Sequence, residues 1–218
     1  MFGTKYNRLF IGDAHFRATH FNHEKRSRNM HMKVGKILHR FKAKDGRDVI
    51  VRTPMWEDLD DLMQLINSLV EEGAEITLDA KKTRDEEADW LSGSIAQMEK
   101  GNALYLVAEV DGNVVASSGI TRRSAPCESH VGDLGIVVKA GYRDVGIGTE
   151  IIRTLVEEAR AMGLKILVLT VFATNRRAIH VYEKAGFEQT GRIPKAIFRN
   201  GKYVDMLLMA REVFEEAP

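Results

Sequence analysis

The chain has 218 residues and a net charge of +1, with 44% hydrophobic and 29% charged residues, which suits one globular domain with extensions. Its single cysteine, Cys127, excludes an internal disulfide framework and a cysteine-built metal site. No apolar run approaches the roughly 20 residues that cross a bilayer, and the first residues lack the apolar stretch of a secretory signal, so a soluble cytoplasmic protein without a metal is expected.

The charge is unevenly spread. Residues 1–48 hold twelve Lys and Arg against four Asp and Glu, so the rest of the chain carries a net −7. Residues 1–46 show weak periodicity and contain five of the seven histidines, His15, His20, His23, His31 and His39. Their spacing fits no zinc pattern and aromatic residues are sparse, so neither metal nor nucleic acid is expected there. The segment reads as a basic, His-rich N-terminal extension, with residues 47–218 as the folded domain. Met30 and Met32 leave room for a later start.

Val49 to Arg52 predicts a short strand, and Thr53-Pro54 punctuates it. Leu59, Leu62, Leu65, Ile66 and Leu69 give Trp56 to Val70 helical spacing, stopped by Gly73. Thr83-Arg84-Asp85-Glu86 is a capping box opening a second helix to Lys100. Strands follow at Leu104–Val110 and Val114–Arg122, joined by the hairpin pair Asp111-Gly112. His130 to Val138 is a further strand. The helix Thr149–Met162 buries Ile151, Ile152, Leu155, Val156 and Ala159 and turns Glu150, Arg153, Glu157 and Arg160 outward. Lys165 to Val171 is continuously apolar, as a strand covered on both faces would be. Asn175 to Ala185 forms a short helix closed by Gly186, and Phe187–Phe198 with Tyr203–Met209 forms a last hairpin turned by Asn200-Gly201. This order implies a mixed sheet covered by helices.

The chemistry concentrates between Val138 and Thr149. Gly146 and Gly148 let backbone amides approach a ligand, and the following helix adds a positive dipole end, together an anion site. A tight strand-to-helix turn would use the same glycines. A nucleotide-triphosphate loop needs Gly-Lys-Ser/Thr, whereas Gly148 precedes Thr149 and Glu150. A dinucleotide fold needs a third glycine where Ile151 stands, and an acid near Leu169 that is missing. Downstream, Asn175 stands at a helix N-cap and Tyr182 lies two turns on along nearly the same face, with the small Ala178 between. Taken singly, Asn175 is open to simple capping and Tyr182 to core packing.

Arg143-x-x-Gly146-x-Gly148, the helix after it, and Asn175-x-x-Ala178-x-x-x-Tyr182-x-x-x-Gly186-Phe187 together resemble the GNAT superfamily of acetyltransferases, in particular its phosphinothricin and ribosomal-protein types. The resemblance covers about residues 48–210. It implies an α/β protein of the α+β type, with a splayed, mostly antiparallel sheet of six to seven strands and about four helices. It also implies acetyl-CoA as co-substrate. Gly146, Ile147, Gly148 and the neighbouring Arg143, Asp144, Val145 and Thr149 would hold the diphosphate. The backbone of Ile136, Val137 and Val138 would pair with the pantetheine arm, and Asn175, Arg177 and Ala178 would lie beside it. Tyr182 would return a proton to the departing thiolate. One departure stands out: family loops commonly carry a cation where Asp144-Val145 stands, so weaker cofactor binding is expected unless Asp144 points outward or is neutralised.

Acetyl transfer to an amine needs the neutral amine, hence a base. Asp133 is the first candidate, five residues before Val138 and where some relatives carry an acid; a solvated edge carboxylate is the plain alternative. His130 and Glu109 are runners-up. A strand amide near Val137 would meet the oxyanion, and with Cys127 outside the motif a direct transfer in a ternary complex is expected. The acceptor is a small-molecule amine or a peptide N-terminus. The acids Glu71, Glu72, Glu75, Asp79, Asp85, Glu86, Glu87 and Asp89 form either a solvated surface or a field attracting a cationic amine. A homodimer without membrane or nucleic-acid partners completes the expectation. The alternative is a CoA-binding regulatory or scaffold domain without turnover.

Overall fold

Eight strands form one sheet in the order β1-β2-β3-β4-β5-β6-β8-β7; a computed structural model describes residues 33–213. His15, His20, His23, His31, Met30 and Met32 lie outside the described residues. The strands are β1 (Ile37–Lys42), β2 (Asp48–Arg52), β3 (Ala103–Val110), β4 (Asn113–Arg122), β5 (Val131–Val138), β6 (Ile166–Phe172), β7 (Glu188–Arg199) and β8 (Lys202–Glu212). The helices are α1 (Leu59–Glu71), α2 (Arg84–Glu99), α3 (Ile147–Ala161) and α4 (Arg176–Lys184). Among the described residues no helix is long and apolar enough to cross a membrane.

Local chemistry places the elements where the sequence puts them. Thr83 Oγ1 accepts from the Glu86 amide at 3.3 Å while Glu86 Oε2 accepts from the Thr83 amide at 2.9 Å, the reciprocal box that starts α2. Asp111 and Gly112 have φ of 51° and 78°, and Asn200 and Gly201 have 51° and 72°. These left-handed pairs match the twist of the strands they join. The five apolar positions predicted for α3 are all buried.

Two features differ from expectation. The sheet has eight strands rather than six to seven, and β1 lies inside the segment read as an extension. It pairs antiparallel with β2 from Ile37↔Arg52 to Lys42↔Asp48, and Asp45-Gly46 turns the chain between them. In β6 burial alternates over most of the strand: Leu167, Leu169 and Val171 are buried, as is Phe172, whereas Ile166, Val168 and Thr170 are half-buried. Thr170 borders an open cavity.

A buried ion pair locks the first half of the sheet to α1. Arg52 Nη1 and Nη2 donate to Asp58 Oδ2 and Oδ1, both at 2.7 Å, and Arg52 Nε donates to Glu109 Oε2 at 2.9 Å. The Met55 amide also donates to Asp58 Oδ2 at 2.9 Å. Both Arg52 and Asp58 are about 5% exposed or less. The hydrogen bonds that Arg52 donates to Asp58 chiefly hold its guanidinium pKa above its ordinary value, with Glu109 adding to the same end. Such a pair is costly to bury and costlier to break, because one charge is then stranded. Asp58→Ala is expected to lower stability by about 3 kcal/mol in urea denaturation; a loss below about 1 kcal/mol would show that Arg52 finds water or Glu109 sufficient.

Candidate active site

β5 and β6 run parallel and pair only from Val131↔Ile166 to Asp133↔Val168. Beyond that they part, and a cavity of about 820 Å³ opens between them. Ile136, Val137 and Val138 pair with Ser118, Ser117 and Ala116 of β4 on one edge. Their other edge lines the cavity without a strand partner among the described residues. Apolar residues of α1 (Leu62, Leu65, Ile66, Leu69) and the α1–α2 connection form another wall.

The β5–α3 loop closes one end. Gly146 is the N-cap of α3 at φ 97°, a left-handed position that a side chain would strain. A Cβ added to Gly148 would meet nothing closer than 3.9 Å, at Val138 Cγ2. No protein neighbour therefore requires glycine at 148, and its small size keeps the cavity side of the helix end open. Fifteen residues of α3 direct their positive end here. Arg143 Nε donates to the Val138 carbonyl at 2.8 Å and its Nη2 to Glu72 at the end of α1. Asp144 (φ 64°) is exposed and pairs with Arg177 Nε at 3.3 Å, so its charge is answered by α4 rather than by Arg143. These loop features suit a phosphorylated ligand.

The second predicted unit meets the first across the cavity. Asn175 caps α4 through Oδ1, which accepts from the Ala178 amide at 3.1 Å, and its NH2 has no partner among the described residues. Tyr182 is 6% exposed and packs edge-on against Phe187, with ring centroids 6.0 Å apart. Burial pushes its phenol up to about 12, so it stays protonated through the neutral range. Ile136, Val137, Val138, Arg143, Asp144, Gly146, Gly148 and Thr149 line this cavity together with Asn175, Arg177, Ala178 and Tyr182. Val145 and Ile147 do not: Ile147 is fully buried in the core, and Val145 packs partly against it. Only their backbones can serve a ligand.

Asp133, the predicted base, is not brought to the cavity. It sits at the paired end of β5, opposite Thr121 and Val168, before the strands part. Arg123 takes its carboxylate, with Nη2 2.9 Å from Oδ1, and also holds Glu128 at 2.9 Å. Of the runners-up, Glu109 is bound to Arg52, and His130 is exposed outside the cavity wall. Among the acids of the α1–α2 region, Glu72, Glu75 and Glu87 line the cavity; Glu72 is engaged by Arg143 and Glu75 by Thr174 Oγ1. Glu87 is 2% exposed, beside the lining residue Trp90. Sequence reasoning did not single out Trp90, Thr174, His180 or Lys44, which also line the cavity. Spacing signals nothing for the first three, whereas Asp45-Gly46 between two strand-like runs could have revealed the turn that carries Lys44.

Residues 60–187 match the family model described as Acetyltransferase (GNAT) family. The chain belongs to that family. Over 107 residues it is 40% identical to the L-amino acid N-acetyltransferase AaaT of Escherichia coli K12, covering 49% of this chain and 66% of AaaT. A crystal structure of a GNAT acetyltransferase from Streptococcus pneumoniae superimposes with a TM-score of 0.69 at 28% identity, covering 76% of this chain and 99% of the other. A GNAT phosphinothricin acetyltransferase from Sinorhizobium meliloti, solved in complex with AcCoA, gives 0.69 at 20% identity over 76% and 88%, a likeness of fold. For this GNAT chain, the outward placement of Asp133 has a measurable consequence. Asp133→Asn should leave acetyltransferase turnover within about threefold of the parent; a loss of tenfold or more would return the carboxylate to the reaction.

Proposed function

We propose that the protein is an acetyl-CoA-dependent N-acetyltransferase acting directly on the primary amine of a small acceptor, an L-amino acid or a close analogue. The observation that carries this reading is the gap between β5 and β6, with an unpaired strand edge along it, the Gly146 amide loop at one end and the buried Tyr182 phenol in its wall. Family membership and the 40% identity to an L-amino acid N-acetyltransferase support both the reaction and the acceptor class. The fold shared with an AcCoA-bound phosphinothricin acetyltransferase supports the cofactor.

Bound acetyl-CoA supplies the acetyl group as a thioester. The free edge at Ile136–Val138 offers N–H and C=O groups for an extended amide-bearing arm, and strand amides there meet negative charge on the carbonyl oxygen. Tyr182 holds the proton that the sulfur takes up as it leaves, and its raised pKa keeps that proton in place across the working range. On the acceptor side, Glu87 is the least exposed carboxylate of the cavity wall, and it too is already engaged. The attractive field, one of the two readings of the eight acids, loses support, because Glu72, Glu75 and Glu87 already have partners. That favours a compact amino acid over a polyamine. A cytoplasmic homodimer remains part of this reading. The exposed Ile193, Phe198 and Tyr203 on the terminal hairpin support the dimer, which light scattering tests.

Free thiol released from acetyl-CoA, measured against amino acids, polyamines and peptide N-termini, should be greatest with an amino acid. Tyr182→Phe should lower kcat at least about tenfold with little change in CoA affinity. Because ionisation of Tyr182 lies near 12, the kcat profile should show no falling limb from this group below about pH 10. CoA binding without turnover on any amine would leave a binding domain in place of an enzyme.

A further inference from the structure

We propose that Lys44, on the turn between β1 and β2, is a cofactor-binding residue that contacts the diphosphate of acetyl-CoA and supplies the cation that Asp144-Val145 leaves out of the loop. The inference rests on the reading of acetyl-CoA as co-substrate. It adds to that reading a residue outside the span 60–187 matched by the family.

The turn is fastened to the β5–α3 loop at several points. The Lys44 amide donates to the Val145 carbonyl at 2.9 Å, and Arg47 Nη2 donates to the Gly141 carbonyl at 2.8 Å. The Arg47 guanidinium lies 4.2 Å from the centre of the Tyr142 ring. Ala43 is buried in the core, and His39 of β1 lies 3.4 Å from Glu150 in the first turn of α3. The position of Lys44 relative to Gly146 is therefore fixed by the fold.

Its side chain runs across the helix end. Lys44 Cγ and Cε lie 3.8 and 3.9 Å from where a Gly146 Cβ would stand, and the residue lines the cavity. Arg47 is held by Asp45 and the Gly141 carbonyl. Arg143 is turned to Glu72 and Arg177 to Asp144, whereas the Lys44 ammonium has no hydrogen-bond or ion-pair partner among the described residues. A cation beside a helix N-terminus opposes the dipole, so it does not serve the stability of α3. The arrangement becomes favourable when an anion sits between the ammonium and the amides. A diphosphate at Gly146–Gly148 is that anion.

Titration calorimetry of the full chain with CoA and with 3′-dephospho-CoA tests this. Lys44→Met keeps the aliphatic stem and removes the charge. It should weaken both ligands by the same factor, about tenfold at low salt, with the difference shrinking at high salt. Lys44→Arg should stay within about threefold of the parent. Equal melting temperatures across the three proteins would show that the fold is retained; if Lys44→Met melts lower, Lys44→Gln takes its place. Parent-like binding by the charge-removed variant would overturn the proposal while leaving the cofactor reading intact. A penalty seen with CoA alone would also overturn it, because the ammonium would then serve the 3′-phosphate. No binding of CoA by the parent chain would sink the cofactor reading itself, and this inference with it.

Discussion

The parallel hydrogen bonds between β5 and β6 stop after Asp133 and Val168, and everything else about the site follows from where they stop. Downstream of that point β5 still has β4 on one side, and β6 has β8 along its whole length, so neither strand is left unsupported. What remains is a wedge with a polar backbone edge on one wall and side chains on the other. The two strand-to-helix connections, Lys139–Gly146 and Ala173–Asn175, lie at the wide end and deliver an amide loop and a capped helix to the same opening. A sheet paired throughout would have buried those backbone groups and closed the space. The buried Arg52–Asp58 pair, with Glu109, ties the start of α1 to β2 and β3, and α1 supplies an apolar wall of the wedge.

Electrostatics around the loop are shared among several elements. Asp144 brings an anion into the loop, yet its carboxylate is exposed and met by Arg177 from α4. Arg143 faces Glu72 and the Val138 carbonyl, linking the end of α1 to the base of the loop. These contacts pair Asp144 and Glu72 with arginines, leaving the helix end positive. Tyr182 shows the opposite use of burial. Removed from water among Phe187 and the core, its phenol is held neutral, which is the state a proton donor needs.

Much of this was legible in the sequence, for reasons that are local. Asp111-Gly112 and Asn200-Gly201 encode their turns through backbone conformation alone, and Thr83 with Glu86 encodes the start of α2 through two hydrogen bonds. The pairing of Arg143-x-x-Gly146-x-Gly148 with Asn175 and Tyr182 is likewise fixed by spacing, and the fold brings those residues to one cavity. β1 was not legible from periodicity, because Ile37–Lys42 is an edge strand of mixed polarity with no fully buried residue. That Asp133 does not line the cavity was hidden for a different reason. Strand position does not reveal where pairing ends, and the competing partner, Arg123, stands just after the end of the neighbouring β4. Ion-pair choice among surface charges depends on tertiary distance, which spacing does not record.

The central claim is that the open edge of β5 and the β5–α3 loop receive acetyl-CoA. Amide hydrogen exchange with and without CoA reads this at the residues concerned. The account predicts slower exchange on CoA addition within Ile136–Val138 and Asp144–Thr149, with little change in β7. Unchanged exchange in both segments at a saturating CoA concentration would contradict it.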